Sequence, residues 1–302
     1  MKKVLFVFNP VAGMAKIKKS LFEIMNFYDE NNCLVTFCLA RKFKNYVEGL
    51  NLNLHDFDLV VCSGGDGTLN MIVTFLQERQ LDITVAYVPS GSTNDYAYSI
   101  GIPDNIDAAL HNTLNGTVRR IDIGNFNGQY FLYVAAFGIF TKTSYSTPQK
   151  TKNLLGHMAY ILEGIKQVPE IRSYHMKVST QGIEVEGDYM LGLVTNTLSV
   201  GGFKNLLPKD VVLDDGEFEI LLIKKPANLV ELHEIMTALL KELIEGNEHI
   251  TLIKASRISV HAEERIAWTL DGEYGDEVQD AEIVNMKKKL SIICEDYGGK
   301  NQ

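Results

Sequence analysis

Three short segments of this chain crowd glycine together with small polar residues. They are Asn9-Pro10-Val11-Ala12-Gly13, Ser63-Gly64-Gly65-Asp66-Gly67-Thr68-Leu69-Asn70 and Pro89-Ser90-Gly91-Ser92-Thr93-Asn94-Asp95. Glycine lets a backbone approach a ligand closely and turn its N–H groups toward an anion. A helix expected to start at Thr68 or just after it would aim the positive end of its dipole at the same spot. Asp66, set among these groups, would be repelled by a bare phosphate. Its presence makes sense if a Mg²⁺ lies between them, or if it accepts a proton from a hydroxyl. One such loop alone reads as a tight turn, whereas three together point to a phosphate-binding edge. The chain has no GxxxxGK[ST] loop and no GxGxxG, so nucleotide binding through another fold is expected. Lys16 follows the first loop closely enough to reach a phosphate, although Lys16, Lys18 and Lys19 together also read as a solvated basic face.

The elements around these loops alternate. Val4–Phe8, Leu34–Leu39, Leu59–Cys62 and Ile83–Val88 are short, apolar and β-like. Between them Lys16–Tyr28 sets Ile17, Leu21, Ile24, Met25 and Tyr28 on one helical face, and Leu69–Leu76 continues at helical spacing. Strands apolar on both sides that alternate with helices predict a parallel α/β sheet, with ligands at the loops leaving the strand C-termini. After about Arg120 the pattern changes. Strand candidates follow at Ile121–Ile123, Gln129–Phe137, Ser173–Thr180, Ile183–Tyr189, Leu191–Asn196, Glu217–Lys224, Ile250–Ile253, Arg257–His261, Ile266–Leu270 and Leu290–Cys294. Turns such as Asn127-Gly128 and Gln181-Gly182 separate them, and helices are expected at Leu154–Gln167 and Asn228–Glu245. The expected architecture is an α/β domain with a parallel sheet over residues 1–124 and a β-rich antiparallel sandwich or barrel over 125–295. The extreme C-terminus, about 296–302, is expected to pack back on the first domain.

Composition bounds the remaining classes. With 302 residues, 46% apolar and 22% charged, the chain is globular and long enough for two domains. A net charge of −9 argues against a broad nucleic-acid footprint. The longest apolar run, Tyr130 to Phe140, covers 11 residues against the roughly 20 a spanning helix needs. The apolar start Val4–Phe8 stops at Asn9-Pro10, too short for a signal-peptide core. Cys33, Cys38, Cys62 and Cys294 form no CxxC pair and are expected as buried thiols. Trp268 is expected in the core, and His157 as a packed or surface residue. A cytoplasmic protein follows from this reading.

The three glycine-rich segments resemble the nucleotide motifs of the diacylglycerol kinase catalytic fold, shared by bacterial and eukaryotic diacylglycerol kinases and by sphingosine and ceramide kinases. Gly-Gly-Asp-Gly also occurs in NAD kinases and phosphofructokinases, so later segments narrow the resemblance. These are Arg120-Ile121-Asp122-Ile123-Gly124, Asn196-Thr197 with Gly201-Gly202-Phe203, Pro208, Asp214-Asp215-Gly216 and Asp271-Gly272-Glu273-Tyr274. Together they are similar to the bacterial soluble lipid kinase branch. The resemblance implies that Asn9 to Gly13, Gly64 to Asn70, Ser92, Asn94 and Asp95 hold ATP. Asp66 would act on the transferred phosphate through Mg²⁺, with Asp122 in the same carboxylate network. A structural Mg²⁺ would rest on the Asp215 carboxylate and the carbonyls of Val212 and Glu217. Asp271 and Glu273, two apart, would share one face of a strand, with Glu273 as general base. The implied partners are ATP and a lipid, most simply diacylglycerol, met at the membrane surface by a cytoplasmic enzyme without a transmembrane segment. Lys142, Lys150 and Lys152, close to an apolar helix, could touch anionic headgroups or equally form an ordinary solvated basic loop, and a homodimer is left open. The chain departs from the family pattern at Ala12, over Ala40–Tyr46 and at Ile139–Lys142. Two other readings stand beside this one: a kinase of a soluble acceptor of the NAD kinase kind, and a non-catalytic sensor of the same fold.

Overall fold

The structure, a computed structural model, describes residues 1–12, 16–49, 52–138, 171–201, 211–241, 244 and 246–295. Several expectations lie outside the described residues: Gly13, Ile139–Lys142, Lys150, Lys152, the helix at Leu154–Gln167 with His157, Gly202-Phe203, Pro208, residues 296–302, and the side chains of Lys16, Lys18 and Lys19. The chain forms two compact units, Met1–Ile121 with the segment from Lys289 onward, and Asp122–Lys288. These breaks fall inside continuous strands, whereas the change of pattern in the sequence suggested 124 and 295.

The first unit carries β1 (Lys2–Phe8), α1 (Lys16–Glu30), β2 (Cys33–Leu39), α2 (Phe43–Gly49), β3 (Leu59–Gly64), α3 (Asp66–Glu78), β4 (Val85–Pro89), α4 (Asp95–Ser99) and α5 (Ile106–Asn115). Its strands pair in parallel in the order β2, β1, β3, β4. Ile292, near the end of the chain's last strand, joins in parallel opposite Val85. Both β3 and β4 are buried along their whole length, as two-sided apolar strands require. Register then does the positioning. Phe8 lies opposite Ser63, and Gly64 opposite Pro89, so the three glycine-rich loops leave the sheet at one edge. On α1, Ile17, Ile24 and Tyr28 are buried, and the Tyr28 hydroxyl lies 3.0 Å from Thr113 Oγ1 of α5. Met25, expected on the same face, is 52% exposed: at about 100° per residue it lies roughly 80° around the helix from Ile17, whereas Ile24 and Tyr28 lie within about 20° of it. Within the unusual Ala40–Tyr46 stretch, Phe43 is fully buried and stacks edge-on against Phe75 at 4.9 Å. That stretch serves the core.

The second unit is antiparallel. It contains the second half of β5 (Thr117–Phe126), β6 (Gln129–Phe131), β7 (Val134–Gly138), β8 (Tyr174–Ser179), β9 (Glu184–Thr195), β10 (Phe218–Lys224), α6 (Leu229–Leu240), β11 (Ile250–Ala255), β12 (Arg257–Leu270) and most of β13 (Glu273–Cys294). Long strands β9 and β12 each pair with two short ones, β8 along one half and β7 along the other. Strands β10 and β11 extend the sheet beyond β9. Trp268 is buried, as expected, between Phe137 at 4.9 Å and Phe126 at 5.1 Å. Asn127 and Gly128 both take positive φ, the two-residue turn that joins β5 to β6.

Several strand expectations change. Gln129–Phe137 is two strands, broken at Leu132–Tyr133. Ile183–Tyr189 and Leu191–Asn196 fuse into β9, and Arg257–His261 and Ile266–Leu270 fuse into β12, with an irregularity between His261 and Ile266. The strand at Leu290–Cys294 begins at Glu273, because pairing with β12 carries an acidic, half-exposed stretch that local pattern reads as loop. Helix α6 ends at Leu240, short of the expected Glu245. Cys38, Cys62 and Cys294 are buried free thiols, whereas Cys33, at the start of β2, is only half-buried; burial pushes Cys38 and Cys294 up to about 11. Among the described residues no helix is long and apolar enough to cross a membrane.

Candidate active site

At the loop edge of the first unit, Asn9 anchors the segment after β1. Its backbone N–H donates to the Ser63 carbonyl at 2.8 Å, its Oδ1 accepts the Val11 N–H at 3.2 Å, and its Nδ2 lies 3.4 Å from Thr68 Oγ1. Pro10 continues this turn, Val11 is exposed and Ala12 is buried. The loops after β3 and β4 meet backbone to backbone. A Cβ added to Gly91 would lie 2.6 Å from the Gly65 Cα, and one added to Gly64 would lie 2.5 Å from Thr68 Oγ1. Only residues without a side chain allow that approach.

Helix α3 starts earlier than expected. Gly65 is its extended N-cap and Asp66 its first residue, so Asp66 sits in the first turn instead of in a free loop. Asp66 is 9% exposed, and its carboxylate accepts the Asp95 N–H at 3.2 Å through Oδ2 and lies 3.5 Å from the Tyr87 hydroxyl through Oδ1. Burial, reinforced by the Asp66 charge, holds the Tyr87 phenol well above its ordinary range, so it stays a donor. That hydroxyl also reaches the Gly64 carbonyl at 3.2 Å and Asn94 Oδ1 at 3.4 Å. Asn94 takes a left-handed conformation and accepts the Gly91 N–H at 2.9 Å, which fixes the third loop. The structure thus gathers Asp66, Asn94, Asp95, Gly64, Gly65 and Gly91 around Tyr87, a residue that nothing in the sequence singled out. Gly67 and Ser92 are exposed at the same edge, and Asn70 accepts the Thr74 hydroxyl within α3. Leu69 is fully buried, so it anchors the helix in the core and does not face a ligand.

The second unit has its own buried polar centre. Asp122 is fully buried; its Oδ2 accepts the Gly216 N–H and its Oδ1 the Lys288 N–H, each at 2.6 Å. Burial pushes its carboxyl above the usual range, while those two N–H donors and Asn285 pull it back down. The Asp122 N–H donates to the Leu213 carbonyl at 2.9 Å, and Asn196 Nδ2 reaches the carbonyls of both Asp122 and Leu213. This lattice fixes the Asp214-Asp215-Gly216 turn, where Asp215 Oδ1 accepts the Glu217 N–H at 2.9 Å and the Glu217 carbonyl accepts Asn285 Nδ2 at 3.1 Å. Val212 is 45% exposed beside it. Among the described residues no group of three or more His, Cys, Asp or Glu is arranged to hold a metal. The Asp215 set is one carboxylate with two carbonyls, all hard oxygens of the kind Mg²⁺ takes. Glu219, which the sequence reading passed over, is 1% exposed and 3.4 Å from Lys254 Nζ; burial pushes its carboxyl up to about 7.

Asp271 and Glu273 do not share a strand face. Asp271 and Gly272 have positive φ and form the turn between β12 and β13, with Leu270 and Glu273 as the closing pair. Asp271 is buried and accepts the N–H groups of Leu132, Tyr133 and Val134, whereas Glu273 is exposed.

Residues 3–126 match the diacylglycerol kinase catalytic domain, and residues 136–288 match the YegS C-terminal NAD kinase beta sandwich-like domain. The chain belongs to the diacylglycerol kinase family. The diacylglycerol kinase of Bacillus subtilis (strain 168) is 36% identical over 298 residues, covering 97% of this chain and 96% of that protein. The diacylglycerol kinase of Staphylococcus aureus (strain MRSA252) is 29% identical over 296 residues, covering 97% of this chain and 92% of that one. A crystal structure from Bacillus anthracis str. Sterne shares the fold, with a TM-score of 0.81 at 24% identity over 98% of this chain and 96% of that one.

Proposed function

We propose that this chain is an ATP- and Mg²⁺-dependent lipid kinase that phosphorylates the hydroxyl of diacylglycerol to give phosphatidate. The observation that carries the reading is the backbone contact of Gly65 with Gly91 beside the buried Asp66, at the loop edge of a parallel sheet. It is a cradle that any Cβ would fill, and its residue types suit phosphate oxygens with a divalent ion. The relatives named diacylglycerol kinase, which match along nearly the whole chain, support the lipid acceptor.

In this reading the N–H groups of the Gly64–Gly67 segment and the N-terminus of α3 line the phosphates. Asp66 and Asp95 supply carboxylate oxygens there, with Tyr87 holding Asp66 in place. A Mg²⁺ held by these carboxylates would neutralise charge on the transferred phosphoryl group. An alkyl hydroxyl is barely ionised at neutral pH, so a carboxylate must take its proton as the oxygen attacks phosphorus. Glu273, exposed at the start of β13, is that acceptor. Asp215 with the carbonyls of Val212 and Glu217 would hold a structural Mg²⁺. The protein meets the bilayer peripherally, from the cytoplasm.

The test is an acceptor screen with radiolabelled ATP against diacylglycerol in mixed micelles, sphingosine and NAD. The NAD arm answers the NAD kinase-like description of the second domain. Label in phosphatidate alone is the expected result. Label in NAD would replace the lipid acceptor, and tight ATP binding with no labelled product would make the chain a sensor.

A further inference from the structure

Resting on the kinase reading, we propose that Asp271 is a positioning residue and not a second proton carrier: its carboxylate clamps the segment between β6 and β7 and thereby fixes the turn that presents Glu273. The Oδ2 atom accepts the Leu132 N–H at 2.7 Å, and Oδ1 accepts the N–H groups of Tyr133 at 3.0 Å and Val134 at 3.1 Å. The Asp271 N–H closes the link by donating to the Val134 carbonyl at 2.8 Å. Backbone donors to a carboxylate make strong, directional bonds. Three of the roughly four lone-pair sites of the carboxylate are thus taken by backbone N–H donors, which leaves Asp271 little room to accept a proton from a substrate.

The same bonds explain the chain path. Residues 129–137 read as one apolar strand, yet the strand breaks at Leu132–Tyr133, where three consecutive N–H groups turn toward one side chain. They also explain why Asp is suited to this position. With φ of 51° at Asp271 and 83° at Gly272, both central residues of the turn are left-handed, a conformation open mainly to Gly, Asn and Asp. Glu273 follows at once, paired with Leu270, so the direction of its side chain is set by this turn.

The test compares Asp271→Asn, Gly272→Ala and Glu273→Gln in the full chain. Amide hydrogen exchange reads the clamp, and kcat against pH on diacylglycerol micelles reads its consequence. Asn keeps one acceptor oxygen but turns an N–H₂ toward a backbone donor. Exchange at Leu132–Val134 should then accelerate by roughly 10–100-fold, as expected for the loss of charge-assisted bonds. The kcat should fall by about tenfold or more, with the acid limb of the pH profile at its wild-type midpoint and the KM for ATP unchanged. Gly272→Ala disturbs the turn and leaves every carboxylate intact, so it should also lower kcat and keep that midpoint. Only Glu273→Gln should remove the limb. Loss of the limb in Asp271→Asn would make Asp271 the proton acceptor and overturn the proposal. Unchanged exchange at the three amides would overturn the clamp even if the wild type transferred no phosphate to lipid, an outcome that would by itself sink the kinase reading.

Discussion

Gly91→Ala tests whether the touching loops of the first unit hold ATP. The added methyl would lie 2.6 Å from the Gly65 Cα and 2.6 Å from Asn94 Oδ1. Asn94 is a side chain and can swing away, at the cost of the bond it accepts from the Gly91 N–H. Gly65 is backbone, pinned by α3 on one side and β3 on the other, so the loops themselves must part. Reaching an ordinary contact of about 3.4–4 Å requires them to separate by roughly 1 Å. Overpacking of this kind costs about 1–3 kcal/mol, which lowers the melting temperature by several degrees. A displacement near 1 Å can cost about 10²-fold where groups are aligned on a reacting phosphate, so kcat/KM for ATP should fall by that order. Gly182→Ala is the control, because nothing lies within 4 Å of its added Cβ. The assay is radiolabel transfer at varied ATP, with calorimetric ATP binding and thermal unfolding of both variants alongside. A Gly91→Ala protein that binds ATP like the wild type while its melting temperature drops would show that this contact is packing alone.

Asp66→Ala should abolish turnover and cost about 1–3 kcal/mol of stability, because it leaves the buried Asp95 N–H without its acceptor and removes one from Tyr87; kinetics near wild type would remove Asp66 from the reaction. Asp215→Ala should erase the rise in melting temperature that Mg²⁺ gives the wild type, measured with and without chelator; a wild type indifferent to Mg²⁺ would rule this site out. Glu219 binds its proton more tightly folded, at about 7, than unfolded, near 4.5, so its contribution is complete below the lower value and is lost as pH rises through the upper one. Glu219→Gln should therefore gain stability relative to wild type between pH 5 and pH 8, by up to about 3 kcal/mol in denaturant titrations. Parallel curves at the two pH values would place the ionised Glu219 in full compensation by Lys254.

Much of the architecture was legible because it is local. The uninterrupted apolar runs of β1, β3 and β4 announce a sheet covered on both faces, and the glycine-rich segments after them announce a binding edge. Asn127-Gly128 announces its own turn, since few other residues accept two left-handed positions in succession. Where periodicity failed, it failed for a physical reason. Met25 lies at the edge of the apolar face of α1, roughly 80° around from Ile17, and is exposed, while Ile24 and Tyr28 lie at its centre and are buried. The first half of β13 is polar on one side and reads as a loop until β12 supplies its hydrogen-bond partners.

The chemistry divides in the same way. Residue types and their order determined the family, the parallel sheet with three glycine-rich loops at one edge, and the carboxylates Asp66, Asp122, Asp215, Asp271 and Glu273 as the groups to watch. What surrounds each carboxylate was decided only by tertiary structure. The donors that occupy Asp122 belong to Gly216 and Lys288, 94 and 166 residues away, and those on Asp271 lie 137 to 139 residues away. Each of those donors is a backbone N–H, a group every residue but proline carries, so it leaves no mark in the sequence. Tyr87 escaped notice for a related reason: in a strand of apolar residues its ring reads as core, and only the folded chain brings its hydroxyl to Asp66.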